Sequence, residues 1–187
     1  MYMRNVMMVA LMTVLSMGVL WSSDAADQHE RTHGYGLGRP ATDQEIQRWN
    51  IDVAPTGEGL PLGRGTAQKG AAIFAARCAS CHGATGREGP MDRLVGGVGT
   101  LGSQKPEKTI GSYWPYATTI YDYVHRAMPF PAPQSLSPEE VYSVVAWLLY
   151  QNGIIAEDTI LDAHSLPGIT MPNRNGFVPD SITLIAG

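Results

Sequence analysis

Apolar positions recur at helical spacing in three stretches of the chain, which predict three main helices. These helices are expected at residues 66–76, 116–127 and 137–151. The third has the strongest start signal, because Ser137 can cap it, Pro138 suits its first position and Glu140 completes a capping box. No segment shows the strict alternation of apolar and polar residues that is typical of a β-strand. The pattern therefore predicts an all-α domain.

The regions between and around these helices are rich in glycine and proline. Thr42 and Glu45 form a capping-box pattern for one further short helix, with Ile46 and Trp49 on one face. The stretch 82–112 is a loop of about 30 residues, which is unusual inside a compact domain. Such a loop is reasonable if something other than the chain fills part of the core.

The same pattern divides the chain into a leader, a compact domain and two extensions. The compact domain is expected to start near Thr66, which can cap the first main helix, and to end near Gly153, which stops the last one. The expected divisions are a signal peptide at 1–25, an N-terminal extension with a short helix at 26–65, the compact domain at 66–153 and a C-terminal extension at 154–187.

The first residues have the features of an export signal. Arg4 is followed by a charge-free apolar run from Val6 to Leu20 and then by small residues, and cleavage is expected near Ala25. The run is shorter than the roughly 20 residues that span a bilayer. We therefore expect a periplasmic protein that is not stably inserted in the membrane after cleavage. An uncleaved N-terminal anchor is the alternative.

The charge of the chain argues against one class of partner. The formal net charge is −4, and the sequence contains no basic stripe that could neutralise phosphates. We therefore expect no nucleic-acid partner.

The only two cysteines lie in the run Cys78-Ala-Ser-Cys81-His82, the C-x-x-C-H pattern of covalent haem attachment. Two thiols at this spacing can add to the two vinyl groups of one porphyrin, and the adjacent imidazole then lies beneath the iron. A thioredoxin-like redox pair, a zinc half-site and a local disulfide are the alternatives. The first lacks a βαβ context, and the second lacks further ligands at tight spacing. The motif therefore predicts one haem c, with His82 as an iron ligand.

The second axial ligand of the iron is expected to be Met128, which follows the second main helix in a stiff, proline-containing context. Three other residues remain alternatives. Met91 lies close to the motif in sequence, and Met171 lies beyond the closing helix. His125 lies one helical turn before Met128 and would give a lower reduction potential, since methionine ligation raises it.

Further residues are expected to surround the haem. The Gly89–Pro90 segment could present a backbone carbonyl to the second ring N–H of His82. Leu94, Trp114 and Tyr116 could wall the haem edge and donate to its propionates, although generic core packing is an equal alternative for Leu94 and Trp114. The complete expected cofactor-binding set is Cys78, Cys81, His82, Met128, Pro90, Leu94, Trp114 and Tyr116.

A close crossing of the first and third main helices is also expected. Gly70 precedes the motif on the first helix, where a glycine lets another helix approach closely. Phe74 lies on the same stripe, and Trp147 and Tyr150 of the closing helix are its natural partners.

Several longer runs of the chain are distinctive. They are Gly34-Tyr-Gly-Leu-Gly-Arg-Pro-Ala41, Trp49-Asn-Ile-Asp52, Gly111-Ser-Tyr-Trp-Pro-Tyr-Ala117, Arg126-Ala-Met-Pro-Phe130, Ala132-Pro-Gln-Ser-Leu136 and Met171-Pro-Asn-Arg174. Together they resemble the cytochrome subunits of Sox-type sulfite (sulfane) dehydrogenases. The resemblance covers about Tyr35 to Phe177. It implies a class I cytochrome c fold with long, largely irregular N- and C-terminal extensions. It also implies that the haem-ligand roles fall on Cys78, Cys81, His82 and Met128.

The resemblance implies a partner, a molybdenum-cofactor subunit that oxidises sulfite or protein-bound sulfane sulfur. This chain would accept its electrons one at a time and pass them to a downstream cytochrome c, without a catalytic site of its own. Some members of the family are longer and carry a second haem, whereas this chain has one C-x-x-C-H motif. A freestanding periplasmic carrier and a cytochrome subunit of another dehydrogenase are the alternatives. The weakly periodic tails at 29–62 and 154–187 could wrap the partner.

Overall fold

The computed structural model describes residues 37–178. The expected leader, its cleavage near Ala25 and the ends of both extensions lie outside these residues. The chain divides into two units, 1–46 and 47–187. In chain order the elements are α1 (Asp43–Trp49), β1 (Arg64–Thr66), α2 (Ala67–Arg77), α3 (Ala79–His82), α4 (Ala117–Ala127), α5 (Pro138–Gln151), β2 (Ile160–Asp162) and a 3₁₀ turn (Leu166–Gly168). Between residues 37 and 178, no helix has the length and apolar character needed to cross a membrane.

Helix α1 begins with the capping box expected from the sequence. The backbone N–H of Glu45 donates to Thr42 Oγ1, and the Glu45 carboxylate accepts from the Thr42 backbone N–H. Arg39 donates two further hydrogen bonds to this carboxylate and, together with Thr42, lowers the Glu45 pKa to about 2. No residue of α1 is buried, so these local hydrogen bonds define its start.

Helices α2 and α5 cross at a glycine, as the sequence predicted. A Cβ atom at Gly70 would overlap the backbone carbonyl of Ser143 and the Cβ of Trp147, so the two backbones approach too closely for any other residue. About one turn later, the rings of Phe74 and Trp147 stack with their centroids 4.0 Å apart. This contact ties the end of α2, where the C-x-x-C-H motif begins, to the closing helix.

Helix α5 lies at the centre of the core. Its capping box is complete, because Ser137 Oγ accepts from the Glu140 backbone N–H and the Glu140 carboxylate accepts from the Ser137 N–H. Every residue from 141 to 149 is buried. A helix that is buried on all sides needs neighbours on all sides, and α2, α4 and both strands contact it.

The proline-rich segment 51–62 packs on α4 and α5. Val53 is buried, and three side chains of these helices hold the segment's backbone. The bonds are Val53 N–H to Asp122 Oδ1 at 2.8 Å, Thr118 Oγ1 to the Pro55 carbonyl at 3.0 Å and the Tyr142 hydroxyl to the Pro61 carbonyl at 2.9 Å. Segment 51–62 is therefore fastened to the helices and is not a free arm.

The stretch 154–171 also packs on the helices. Strand β2 pairs antiparallel with β1, with Gly65 opposite Leu161, and Leu161, Leu166 and Met171 are buried. Residues 154–171 therefore pack on the domain itself, and the wrapping of a partner by the tails stays a prediction. The expectation of no strand fails, because strands of three residues are too short to show alternation and form only when distant segments meet.

Candidate functional site

The C-x-x-C-H motif lies at the junction of α2 and α3. Cys78 ends α2 by donating its backbone N–H to the Phe74 carbonyl at 2.9 Å. The Cys78 carbonyl then accepts the N–H groups of Cys81 and His82 at 3.1 and 3.0 Å. Both cysteines are free thiols; Cys81 is exposed, whereas partial burial of Cys78 raises the pKa of its thiol to about 11. One tight turn therefore sets the positions of two thiols and one imidazole.

The imidazole of His82 is oriented by a backbone carbonyl. Its Nδ1 lies 2.8 Å from the carbonyl oxygen of Asp92. A carbonyl only accepts hydrogen bonds, so Nδ1 carries the proton and Nε2 keeps a free lone pair. This is the tautomer that a metal-ligating histidine requires. The acceptor is Asp92 and not the Gly89–Pro90 carbonyls expected from the sequence, and Pro90 is exposed.

The loop after the motif folds back onto the motif because Gly89 permits it. A Cβ atom at Gly89 would overlap the Cys81 carbonyl oxygen and the backbone of His82. Close to this point, the Met91 N–H donates to the Cys81 carbonyl at 3.0 Å. These contacts bring the next residue, Asp92, within hydrogen-bond reach of the imidazole.

Asn152, at the end of α5, fastens the far part of the same loop. Its Oδ1 accepts the Gly96 N–H at 3.0 Å, and its Nδ2 donates to the carbonyls of Leu94 and Leu148 at 3.3 and 2.8 Å. Sequence reasoning missed this role. The only signal is an asparagine beside Gly153, which is equally the signature of an ordinary helix end.

The expected wall residues have different positions. Leu94, Trp114 and Met128 are partly buried, and all three pack against the same core as Cys78. Trp114 also meets the half-exposed Tyr123 ring edge to face, with centroids 5.8 Å apart. Two of the three expected wall residues beyond Pro90 therefore pack against the same apolar core as Met128 and the first attachment cysteine.

The third, Tyr116, belongs to the aromatic cluster 113–116, which residues 173–177 contact. Asn173 Nδ2 donates to the Tyr113 carbonyl at 2.8 Å, and the Phe177 ring meets the Tyr113 ring edge-on at 5.2 Å. The Arg174 guanidinium lies over the Tyr116 ring, 4.1 Å from its centroid. No local pattern indicates these contacts, because their partners are far apart in the sequence.

The candidates for the second axial ligand differ in burial. Met91 is 59% exposed, and Met171 is only 1% exposed within the core. The ring centroid of His125 lies 6.0 Å from that of the buried Tyr121. The Nδ1 atom of His125 has no hydrogen-bond partner in the part of the chain described. Met128 ends α4 in an extended conformation and lies at the edge of the cluster that includes Cys78. Met128 and His125 are both partly buried, and only Met128 packs at the edge of the cluster that includes Cys78.

The residues present fit a haem c. Two free thiols at C-x-x-C spacing, an imidazole with an available Nε2 and a partly buried thioether are the donor set of a covalently attached haem with His/Met ligation. A zinc half-site would need further ligands. Among residues 37–178, no group of three or more His, Cys, Asp or Glu side chains is placed to hold a metal ion.

Comparison with known proteins decides the family. The family model for cytochrome c matches residues 67–152, which run from the start of α2 to just past the end of α5. A chain in the crystal structure of the sulfane dehydrogenase SoxCD from Paracoccus pantotrophus is 46% identical, with a TM-score of 0.73, over 81% of this chain and 75% of that one. The chain belongs to the family of Sox-type sulfane dehydrogenase cytochromes. The comparison with curated proteins found no significant match.

Membership of this cytochrome family confirms the class I cytochrome c fold with terminal extensions. The two strands of three residues are a local addition to an otherwise helical domain. A cytochrome c domain transfers electrons and implies a haem c. Because Cys78 and Cys81 are the only cysteines of the Sox-type cytochrome, its sequence is consistent with one haem-attachment motif.

Proposed function

We propose that this chain is the electron-transfer subunit of a sulfite or sulfane dehydrogenase. It accepts electrons one at a time from a molybdenum-cofactor subunit and passes them to a downstream cytochrome c. The observation that carries the proposal is the 46% identity to a SoxCD chain over 81% of this chain. Oxidation of the sulfur substrate belongs to the molybdenum cofactor of the partner, and this chain has no catalytic site of its own.

The haem, when bound, supplies one-electron redox chemistry at its iron. Cys78 and Cys81 would hold it through thioether bonds, and His82 and Met128 would ligate its iron. The Asp92 carbonyl fixes the imidazole tautomer and raises the basicity of Nε2. The proposed walls of the site are Pro90, Leu94, Trp114 and Tyr116.

The protein acts in the periplasm after removal of a signal peptide near Ala25. The haem domain spans residues 66–153, and the extensions at 26–65 and 154–187 flank it. Within them, the stretches 51–62 and 154–171 are fastened to the helices by the contacts above. Docking of the molybdenum subunit therefore uses surfaces of a packed unit and not two free arms.

The deciding experiment uses the protein from its own periplasm together with whatever co-purifies. Sulfite is added, and growth of the ferrous absorption bands is followed. We expect the haem to be reduced when the molybdenum subunit is present and to stay oxidised when that subunit is omitted.

Each other outcome has a defined meaning. If sulfite fails with the molybdenum subunit present, protein-bound sulfane sulfur is tested next, and reduction by it would support the sulfane form of the proposal. Reduction by neither donor would overturn the proposal. A chain that co-purifies with no partner would favour the freestanding carrier.

A further inference from the structure

The carbonyl that orients the imidazole of His82 lies next in the chain to an arginine that makes three hydrogen bonds. His82 Nδ1 is 2.8 Å from the Asp92 carbonyl oxygen, and Arg93 follows Asp92. Arg93 Nε donates to the Arg87 carbonyl at 3.1 Å, and its Nη1 donates to both carboxylate oxygens of Glu107 at 2.9 Å. The side chain of Arg93 therefore joins two distant points of the loop that follows the motif.

Both partners of the Arg93 side chain are themselves held by other hydrogen bonds. The Glu88 carboxylate accepts the Arg87 N–H at 2.9 Å. The carbonyl of Glu107 accepts a hydrogen bond from the hydroxyl of Ser112, which is buried. Arg93 is therefore tied to parts of the loop that are fixed independently of it.

The peptide unit between Asp92 and Arg93 needs such a tie. On either side of it, the N–H groups of Met91 and Leu94 donate to backbone carbonyls at 3.0 and 2.8 Å. These bonds fix the chain before and after the unit, but a planar peptide unit can still turn about the soft dihedral angles at its two ends. Such a turn would swing the Asp92 carbonyl away from the imidazole, and a tethered Arg93 side chain opposes it.

We propose that Arg93 is a positioning residue, which holds the Asp92 carbonyl against His82 and so sets the reduction potential of the haem iron. This inference rests on the proposed ligation of the iron by His82. A hydrogen bond from Nδ1 raises the basicity of Nε2, and a more basic ligand stabilises the oxidised iron. Loss of the Arg93 side chain should weaken this hydrogen bond and therefore raise the reduction potential.

The charge of Arg93 predicts the opposite sign. A cation favours the reduced form of the iron, so removal of its charge alone would lower the reduction potential. The side chains of Arg93 and Glu107 are 48% and 46% exposed, so their charges are screened by solvent and salt. An exposed ion pair also contributes little to global stability, and variants at either residue should therefore fold.

The test measures the reduction potential of the isolated, haem-loaded chain with redox mediators, for Arg93→Gln, Arg93→Lys and Glu107→Gln. In Arg93→Gln, the ratio of reduced to oxidised protein at a fixed ambient potential should rise about twofold to fivefold, and tenfold corresponds to about 59 mV for one electron. Glu107→Gln should raise the ratio less, because the bond to the Arg87 carbonyl remains. Arg93→Lys keeps the charge but lacks the planar fork that serves both partners, so it should also raise the ratio.

A second measurement follows the hydrogen bond itself. Exchange of the His82 Nδ1 proton with deuterated water, followed by NMR in the reduced protein, should be faster in Arg93→Gln, because a proton exchanges when its hydrogen bond opens locally. Arg39→Gln is the matched control, since it breaks another exposed Arg–Glu pair, the one with Glu45, which has no part in this loop. It should leave the ratio and the exchange rate unchanged.

Three results would overturn the proposal. They are a lower ratio in Arg93→Gln, which would leave charge as the only effect, an unchanged ratio and exchange rate in that variant, and equal changes in Arg39→Gln. If Arg93→Gln fails to load haem, Arg93→Lys supplies the comparison, and an unchanged ratio there would equally contradict a positioning role. The measurements use no sulfur donor or partner, so their outcome is independent of whether sulfite reduces the protein.

Discussion

The rings of Phe74 and Trp147 stack with their centroids 4.0 Å apart, beside the crossing that Gly70 permits. The backbone carbonyl of Phe74 accepts a hydrogen bond from the backbone N–H of Cys78. The stack thus joins the closing helix to the residue that starts the haem-attachment motif. A change at this contact should act on the stability of the domain.

Replacement of Trp147 by alanine should lower the free energy of unfolding by about 3 to 5 kcal/mol, because a large buried ring is lost and a cavity remains. Trp49 is a matched control, since it is the same residue type with 85% exposure. Trp49→Ala should change the free energy of unfolding by less than about 0.5 kcal/mol. Denaturant unfolding of the haem-loaded protein measures both, and equal losses would contradict the role of the stack.

Replacement of Met128 by alanine should remove the proposed second iron ligand and lower the reduction potential, because methionine ligation raises it. The visible spectrum of the oxidised protein should change to that of an iron with an open or water-filled position. Met91→Ala is the control, because Met91 is largely exposed, and it should leave the spectrum and the potential unchanged. A spectral change in Met91→Ala with none in Met128→Ala would reverse the assignment.

Replacement of Gly89 by alanine should displace the loop that carries Asp92, because the new Cβ would overlap the backbone of Cys81 and His82. Overpacking of this kind destabilises by about 1 to 3 kcal/mol, and the yield of haem-loaded protein should fall with it. At Gly102, a Cβ meets no atom within 4 Å, so Gly102→Ala should load haem normally. The measurement is the haem content per chain of both variants. Normal loading of Gly89→Ala would contradict the prediction, because it would show that the loop accommodates the new Cβ.

The carboxylate of Asp122 should make stability depend on pH. Burial raises the pKa of Asp122, but hydrogen bonds from Arg126 and from the Val53 N–H outweigh burial, and the pKa is lowered. The stabilisation is therefore present above the ordinary aspartate pKa of about 3.9. It is lost as the pH falls through the lower pKa of the folded state.

Asp122→Asn should accordingly lower the free energy of unfolding by about 1 kcal/mol at pH 7. The difference from the natural protein should persist to about pH 4 and shrink below it. Asp158→Asn, at an exposed position, should show no comparable difference. Denaturant unfolding at a series of pH values measures this, and a difference that is constant down to the lowest pH would rule out the charge as its source.

Much of this protein could be predicted from short stretches of its sequence. Ser137 and Glu140 start α5 because a capping box joins residues three positions apart, and Thr66 caps α2 in the expected way. The prediction of a close helix crossing at Gly70 was also correct, because a glycine on an apolar helical stripe has few other structural uses. The haem chemistry follows from the C-x-x-C-H spacing, since covalent attachment depends on adjacent residues.

Tertiary structure alone decided which distant segments meet. The acceptor for His82 is Asp92 and not Pro90, because the loop folds back on the motif at Gly89. Segment 154–171 packs on the core, because β2 pairs with β1, a strand far away in the sequence. The contact of Arg174 with the Tyr116 ring also joins residues that are far apart in the sequence. Capping, helical periodicity and covalent attachment depend on residues within a few positions of one another, whereas these contacts depend on how the chain packs, which short-range patterns do not encode.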